Sequence, residues 1–96
     1  MIKLTKVQEE VLTALVRLYY QSPVSGHSLE DVRDGRFLAR PRDERYDYIK
    51  STTIALRQLS AFCPNLVEER GVSFHGWHPT GAGVALAQTQ LGLKRP

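Results

Sequence analysis

The sequence predicts a mainly α-helical domain with a small β-hairpin, closed by a last helix. Three observations carry this. Apolar residues recur at helical spacing in separated stretches along the chain, each opened or closed by capping or breaking residues. Between residues 66 and 78 the pattern changes to short β-type runs around Gly71 and Gly76. The chain has 96 residues, 42% hydrophobic and 24% charged, which suits one domain with a thin core rather than a disordered tail.

The first helix is expected over residues 6–21. Thr5 serves as N-cap and Gln8, three residues on, completes a capping box. Val7, Val11, Leu15 and Leu18 form its inward stripe, widened by Leu12 and Tyr19. The stretch from Ser22 to Gly26 breaks it through Pro23 and Gly26. A short helix follows over residues 29–34, capped by Ser28, with Glu30 and Asp31 in the favourable first turn and Gly35 as its left-handed stop. Residues 36–42 then form a basic connector, and Pro41 keeps Arg40 out of helical geometry. The longest helix is expected over residues 43–62, its start left open between Asp43 and Tyr48, with Ile49, Thr53, Leu56, Leu59 and Cys63 inward and Asp47, Lys50, Ser51, Ile54 and Gln58 outward. Pro64 ends it. A hairpin occupies residues 66–78, with Phe74 and Trp77 as its large anchors. Thr80 caps a final helix over residues 81–90, Gly92 stops it, and residues 93–96 read as a frayed basic tail.

Several functional classes are set aside by composition. One cysteine, Cys63, makes neither an internal disulfide nor a multi-cysteine zinc site, so a reducing, cytoplasmic setting is the expectation. The charged start (Lys3, Lys6, Glu9, Glu10) is unlike a signal peptide, and no run approaches the ~20 apolar residues of a membrane span. No cofactor is expected, since the chain lacks a glycine-rich phosphate loop. His75 and His78, with His27 and Cys63 elsewhere, suggest a metal, but alternate strand positions point the two histidines to opposite faces. Packing or surface histidines are the plainer reading, and Cys63 reads as an inert core thiol. No catalytic constellation emerges, so the expectation is a protein that is not an enzyme.

The order of elements resembles a winged helix-turn-helix domain. The run from Thr52 to Glu69, ending Asn-Leu-Val-Glu-Glu, is similar to the end of a recognition helix and the opening strand of the wing in regulators of the MarR and PadR type. The run from His78 to Ala87 is similar to the entry into their final helix, with Thr80 and Gly83 at matching places and Pro79 where an apolar residue is usual. The connector from Gly35 to Arg42 is longer than the three or four residues that usually join the two helices of the motif.

This resemblance implies sequence-specific binding of double-stranded DNA by a small transcriptional regulator. The long helix would enter the major groove and the wing would meet the flanking minor groove. The residues it points to are Lys50, Ser51, Ile54, Arg57 and Gln58 on the long helix. Arg36, Arg40, Arg42 and Arg45 in and after the connector would contact phosphates, and Arg70, Ser73 and His75 would act from the wing. Each has a plainer reading: a solvated helix face, arginines paired with Asp43, Glu44 and Asp47, a polar turn. Residues 36–57 hold six cations and three acids, so this stretch carries the whole formal +3 of the chain. Apolar first and last helices imply a homodimer on a two-fold site. The competing expectation is a winged helix that binds another protein through an outward strip of Tyr48, Ile54 and Phe62.

Overall fold

The computed structural model describes residues 2–23, 26–38, 40–70 and 76–95, apart from the side chain of Arg42. Among these residues four α-helices, one 3-10 helix and a two-stranded antiparallel hairpin follow one another as α1 (Lys6–Gln21), α2 (Leu29–Arg36), the 3-10 helix (Arg42–Tyr48), α3 (Ile49–Ser60), β1 (Val67–Arg70), β2 (Gly76–Pro79) and α4 (Gly81–Gln90). The fold is therefore mainly helical with a small hairpin, a layout compatible with a winged helix.

Helix α1 forms as expected. The Thr5 hydroxyl accepts the Gln8 backbone N–H, and the Gln8 side chain accepts the Thr5 backbone N–H in return. Its stripe is rotated slightly from the expectation: Val11, Leu12, Ala14, Leu15 and Val16 are buried, while Val7 is 38% exposed. These residues join Val32, Ala55, Leu56, Leu59, Leu66, Val67, Leu86 and Ala87 in one core to which every α-helix contributes.

Helix α2 runs two residues past its expected end at Asp34. Gly35 is not a left-handed cap but an interior residue, where a Cβ would stand 3.1 Å from the Cβ of Ala14. Its small size lets α2 lie close on α1. The expected long helix is divided. Residues Arg42–Tyr48 wind as a 3-10 helix and α3 starts at Ile49. The segment Arg-Asp-Glu-Arg-Tyr-Asp-Tyr has no apolar stripe to bury at α-helical spacing. Tyr48 instead packs on Phe37, with ring centroids 4.0 Å apart. The inward face of α3 is Thr52, Ala55, Leu56 and Leu59; Thr53 is only half-buried and Cys63 is exposed, which corrects its assignment to the core.

The hairpin pairs Val67 with Pro79, Glu68 with His78, Glu69 with Trp77 and Arg70 with Gly76. Its other edge is also used. His27, between α1 and α2, exchanges backbone bonds with Trp77 at 3.1 and 2.8 Å, so β2 lies between β1 and a one-residue third strand. That approach needs Gly76, whose φ is 127° and whose Cβ would fall 2.6 Å from the His27 carbonyl oxygen. Thr80 caps α4 by accepting the Gly83 N–H, and its own hydroxyl donates to the Asn65 carbonyl. Gly92 stops the helix with a φ of 67°. The tail after it is anchored rather than frayed at its start: the Tyr20 hydroxyl donates to the Leu93 carbonyl at 2.9 Å.

Candidate nucleic-acid interface

Helix α3 offers one face to solvent and one to the core. The outward face carries Lys50, Ile54, Arg57 and Gln58, all exposed, and the helix contains no acidic residue. Ile54 is 47% exposed and, with Val7 from α1, makes an apolar shelf. Thr5, Ser51, Ala55 and Gln58 complete a shallow groove of about 390 Å³ around it. The apolar strip expected along Tyr48, Ile54 and Phe62 does not form, because Tyr48 stacks on Phe37 and Phe62 leans on the core.

The connector arginines divide into two kinds. Arg36 is internal, its side chain only 3% exposed. Its guanidinium donates to the Ser51 hydroxyl at 3.0 Å, the Thr52 hydroxyl at 2.7 Å and the Glu10 carboxylate at 3.2 Å. Thr52 and Ser51 pass their own hydroxyl protons to the Tyr48 carbonyl. Arg36 and Ser51 thus tie α1, α2 and the first turn of α3 together and are unavailable as outward DNA contacts, a correction to the sequence reading.

Arg45 is likewise engaged. It donates to the carbonyls of Arg40 and Leu38 at 2.9 and 3.1 Å and lies 3.9 Å from Asp34, so it closes the connector on itself. Arg40 differs, with a side chain 51% exposed. Its guanidinium lies 5.7 and 5.4 Å from the ring centroids of Phe37 and Tyr48, and 4.0 Å from Glu44, a weak exposed pair. The Arg42 side chain, Ser73 and His75 lie outside the described residues. Arg70 is exposed and holds Glu68 at 2.7 Å.

Sequence reasoning missed three residues near this surface. Gln8 is buried, and beyond its capping role its amide nitrogen donates to the Gln58 side-chain oxygen at 2.9 Å. Val7 extends the apolar shelf. Arg33 is buried against Asp34 with its guanidinium 4.9 Å from the centroid of the Tyr46 ring. The capping box marked Gln8, but no local pattern announces a partner 50 residues away.

At the base of the hairpin, His27 and His78 are both buried, each with an Nε2 that meets no hydrogen-bond partner among the described residues. Burial lowers the His78 pKa below the usual histidine value; the Arg70 and His27 charges push the same way and Glu68 opposes them. Among the described residues no group of three or more His, Cys, Asp or Glu side chains is placed to hold a metal ion, and no helix is long and apolar enough to cross a membrane.

Fold and site together define a small helix-and-hairpin domain that presents one acid-free helix face. Compared with known protein families, characterised proteins and solved structures, the chain matches none.

Proposed function

We propose that this chain binds double-stranded DNA through the outward face of α3, as a small sequence-specific transcriptional regulator. The observation that carries the reading is that face: Lys50, Ile54, Arg57 and Gln58 stand exposed on a helix free of acids. An α-helix with its side chains is about 10–12 Å across, which fits a major groove about 12 Å wide. Lys50 and Arg57 reach phosphates or guanine, Ile54 and Gln58 meet base edges, and Arg40 supplies a further phosphate contact from the connector. Arg36 serves this indirectly, by fixing the first turn of α3 against α1 and α2. Two copies on a two-fold operator would double the contacts. Ile2, Leu4 and Leu91, half-buried around an open groove beside the end of α4, are the natural place for such an association.

The test is a salt-dependent binding curve against random duplex DNA. Three phosphate contacts per copy give a log–log slope of about −3, and a dimer about twice that. Lys50→Ala and Arg57→Ala each lower the slope by about 1 per copy. Absence of duplex affinity at low salt sinks the reading. A second reading rests on the Val7–Ile54 shelf, which suits an apolar anchor from a protein partner. In that case Ile54→Asp abolishes partner capture while Lys50→Ala leaves it intact.

A further inference from the structure

The face of α3 contains a side chain whose amide orientation is dictated from elsewhere. The Thr5 backbone N–H is a donor only, so the atom of Gln8 facing it at 3.0 Å is the amide oxygen. The Gln8 amide nitrogen is therefore the atom that meets Gln58, at 2.9 Å, and the Gln58 atom receiving it is in turn an oxygen. Gln58 cannot flip without setting two donors against each other. Its NH₂ group, with no partner among the described residues, is the end left for a ligand, and its oxygen is held toward α1.

We infer that Gln8 makes Gln58 a donor-only reader and that the Ile54–Gln58 pair selects thymine in the major groove. The inference rests on the DNA-binding reading above. The bidentate glutamine–adenine pair uses both the oxygen and the nitrogen of the amide, one for adenine N6–H and one for N7. With its oxygen committed to Gln8, Gln58 loses half of that pair. Cytosine, which offers a donor at N4, is opposed outright. The acceptors open to a lone donor are guanine O6 and N7, thymine O4 and adenine N7. Ile54 decides between them. It lies four residues before Gln58 on the same helix face, is 47% exposed, and shares its apolar shelf with Val7. Only thymine sets a methyl group beside its acceptor.

The experiment selects bound duplexes from a randomised pool with the wild-type chain and with Gln8→Glu. Glutamate still accepts the Thr5 N–H and so retains the capping box, but it has no proton for Gln58. Gln58 must then turn its nitrogen inward and its oxygen outward. The wild type is expected to select thymine at one position per site. Deoxyuridine there, which lacks the methyl, should weaken binding about fourfold, the effect of one buried methyl group. Gln8→Glu should move the preference to adenine or cytosine, whose edges carry donors, by about tenfold.

Gln58→Glu provides a second route at an exposed position, should Gln8→Glu not fold: an acceptor-only side chain should trade thymine for cytosine. Selection of one and the same base by the wild type and the folded variants overturns the inference, as does indifference to deoxyuridine. In either case salt-dependent binding to random duplex persists and the broader proposal stands. No binding to any duplex overturns both.

Discussion

Helix α4 contains a pair of glycines, two residues apart, for which the same substitution should act in opposite directions. A Cβ on Gly83 would fall 1.9 Å from the Leu66 carbonyl oxygen and 2.9 Å from its carbon, both backbone atoms. Relief requires the strand entry to retreat by more than an ångström. That oxygen already accepts the Thr80 N–H at 3.0 Å, and Leu66 is fully buried, so the retreat disturbs both a helix cap and the core. Overpacking of this severity costs about 3 kcal/mol. Alanine returns about 1 kcal/mol of helix propensity, leaving a net loss of about 2 kcal/mol. For a domain this small that lowers the melting temperature by roughly 8–16 °C. Gly81 has nothing within 4 Å of its Cβ position. There alanine meets no obstacle and should add about 0.4–1 kcal/mol, a rise of roughly 2–8 °C. Thermal melts followed by far-ultraviolet circular dichroism, with urea titration as a second measure, compare both variants with the wild type. A Gly83→Ala protein that melts at or above the wild type refutes the close-approach argument.

The internal position of Arg36 makes it a stability residue. Arg36→Ala strips three hydrogen-bonded groups of their common donor and leaves Glu10 unpaired; because Glu10 is 38% exposed the loss should be about 2–3 kcal/mol, read as a lower urea midpoint at unchanged slope. A melt within 2 °C or so of the wild type, at about 4–8 °C per kcal/mol, contradicts this. Acid should loosen the base of the hairpin. The folded pKa of His78 is depressed, so its contribution is complete above the unfolded value near 6.5 and is lost as the pH falls through the folded one. His78→Gln should flatten that acid limb, and an equal decline in both proteins excludes His78 as its source. On the interface, Ile54→Asp should leave the melting temperature within about 2 °C, since the side chain is half-exposed, while reducing duplex affinity at least tenfold; retained affinity removes Ile54 from the contact surface.

The parts of the fold that sequence made legible are those governed by near neighbours. Thr5 with Gln8, Ser28 with Asp31, and Thr80 with Gly83 are caps three residues long, and all are present as read. Most of the outward set of α3 was also legible, because lysine, arginine and glutamine are rarely buried, but Ser51 was misplaced, since Arg36 holds it. What escaped depends on distant partners. The inward face of α3 turns on Thr52, a polar residue that apolar periodicity passes over and that Arg36 makes welcome in the core. Gly35 read as a stop signal because its local pattern is that of a helix end, whereas its cause is the Ala14 Cβ on another helix. His27 occupies a one-residue strand that no alternation can reveal. Cys63 followed the helical count inward, but α3 ends at Ser60 and the count no longer applies there.

Apart from Arg42, whose side chain lies outside the described residues, the cations of residues 36–57 resolve into two populations with different tasks. Arg36 and Arg45 are turned inward, where Glu10, Asp34 and the carbonyls of Leu38 and Arg40 receive them. Arg40, Lys50 and Arg57 face outward, and among the described residues only Arg40 has an acid within 4.0 Å. The division explains the length of the connector. A turn of three or four residues has no room for a chain that must stack Phe37 on Tyr48 and loop back to have its carbonyls capped by Arg45. In exchange, the start of α3 is held by a buried guanidinium and by ring contacts rather than by a side-chain cap of its own, which it lacks. Arginine suits the buried post because its fork serves three acceptors at once, which an ammonium on a lysine stem cannot do in the same geometry. The internal charges therefore set the position of α3, and the outward ones supply what α3 presents. Substitutions in the two groups should separate cleanly into effects on stability and effects on binding.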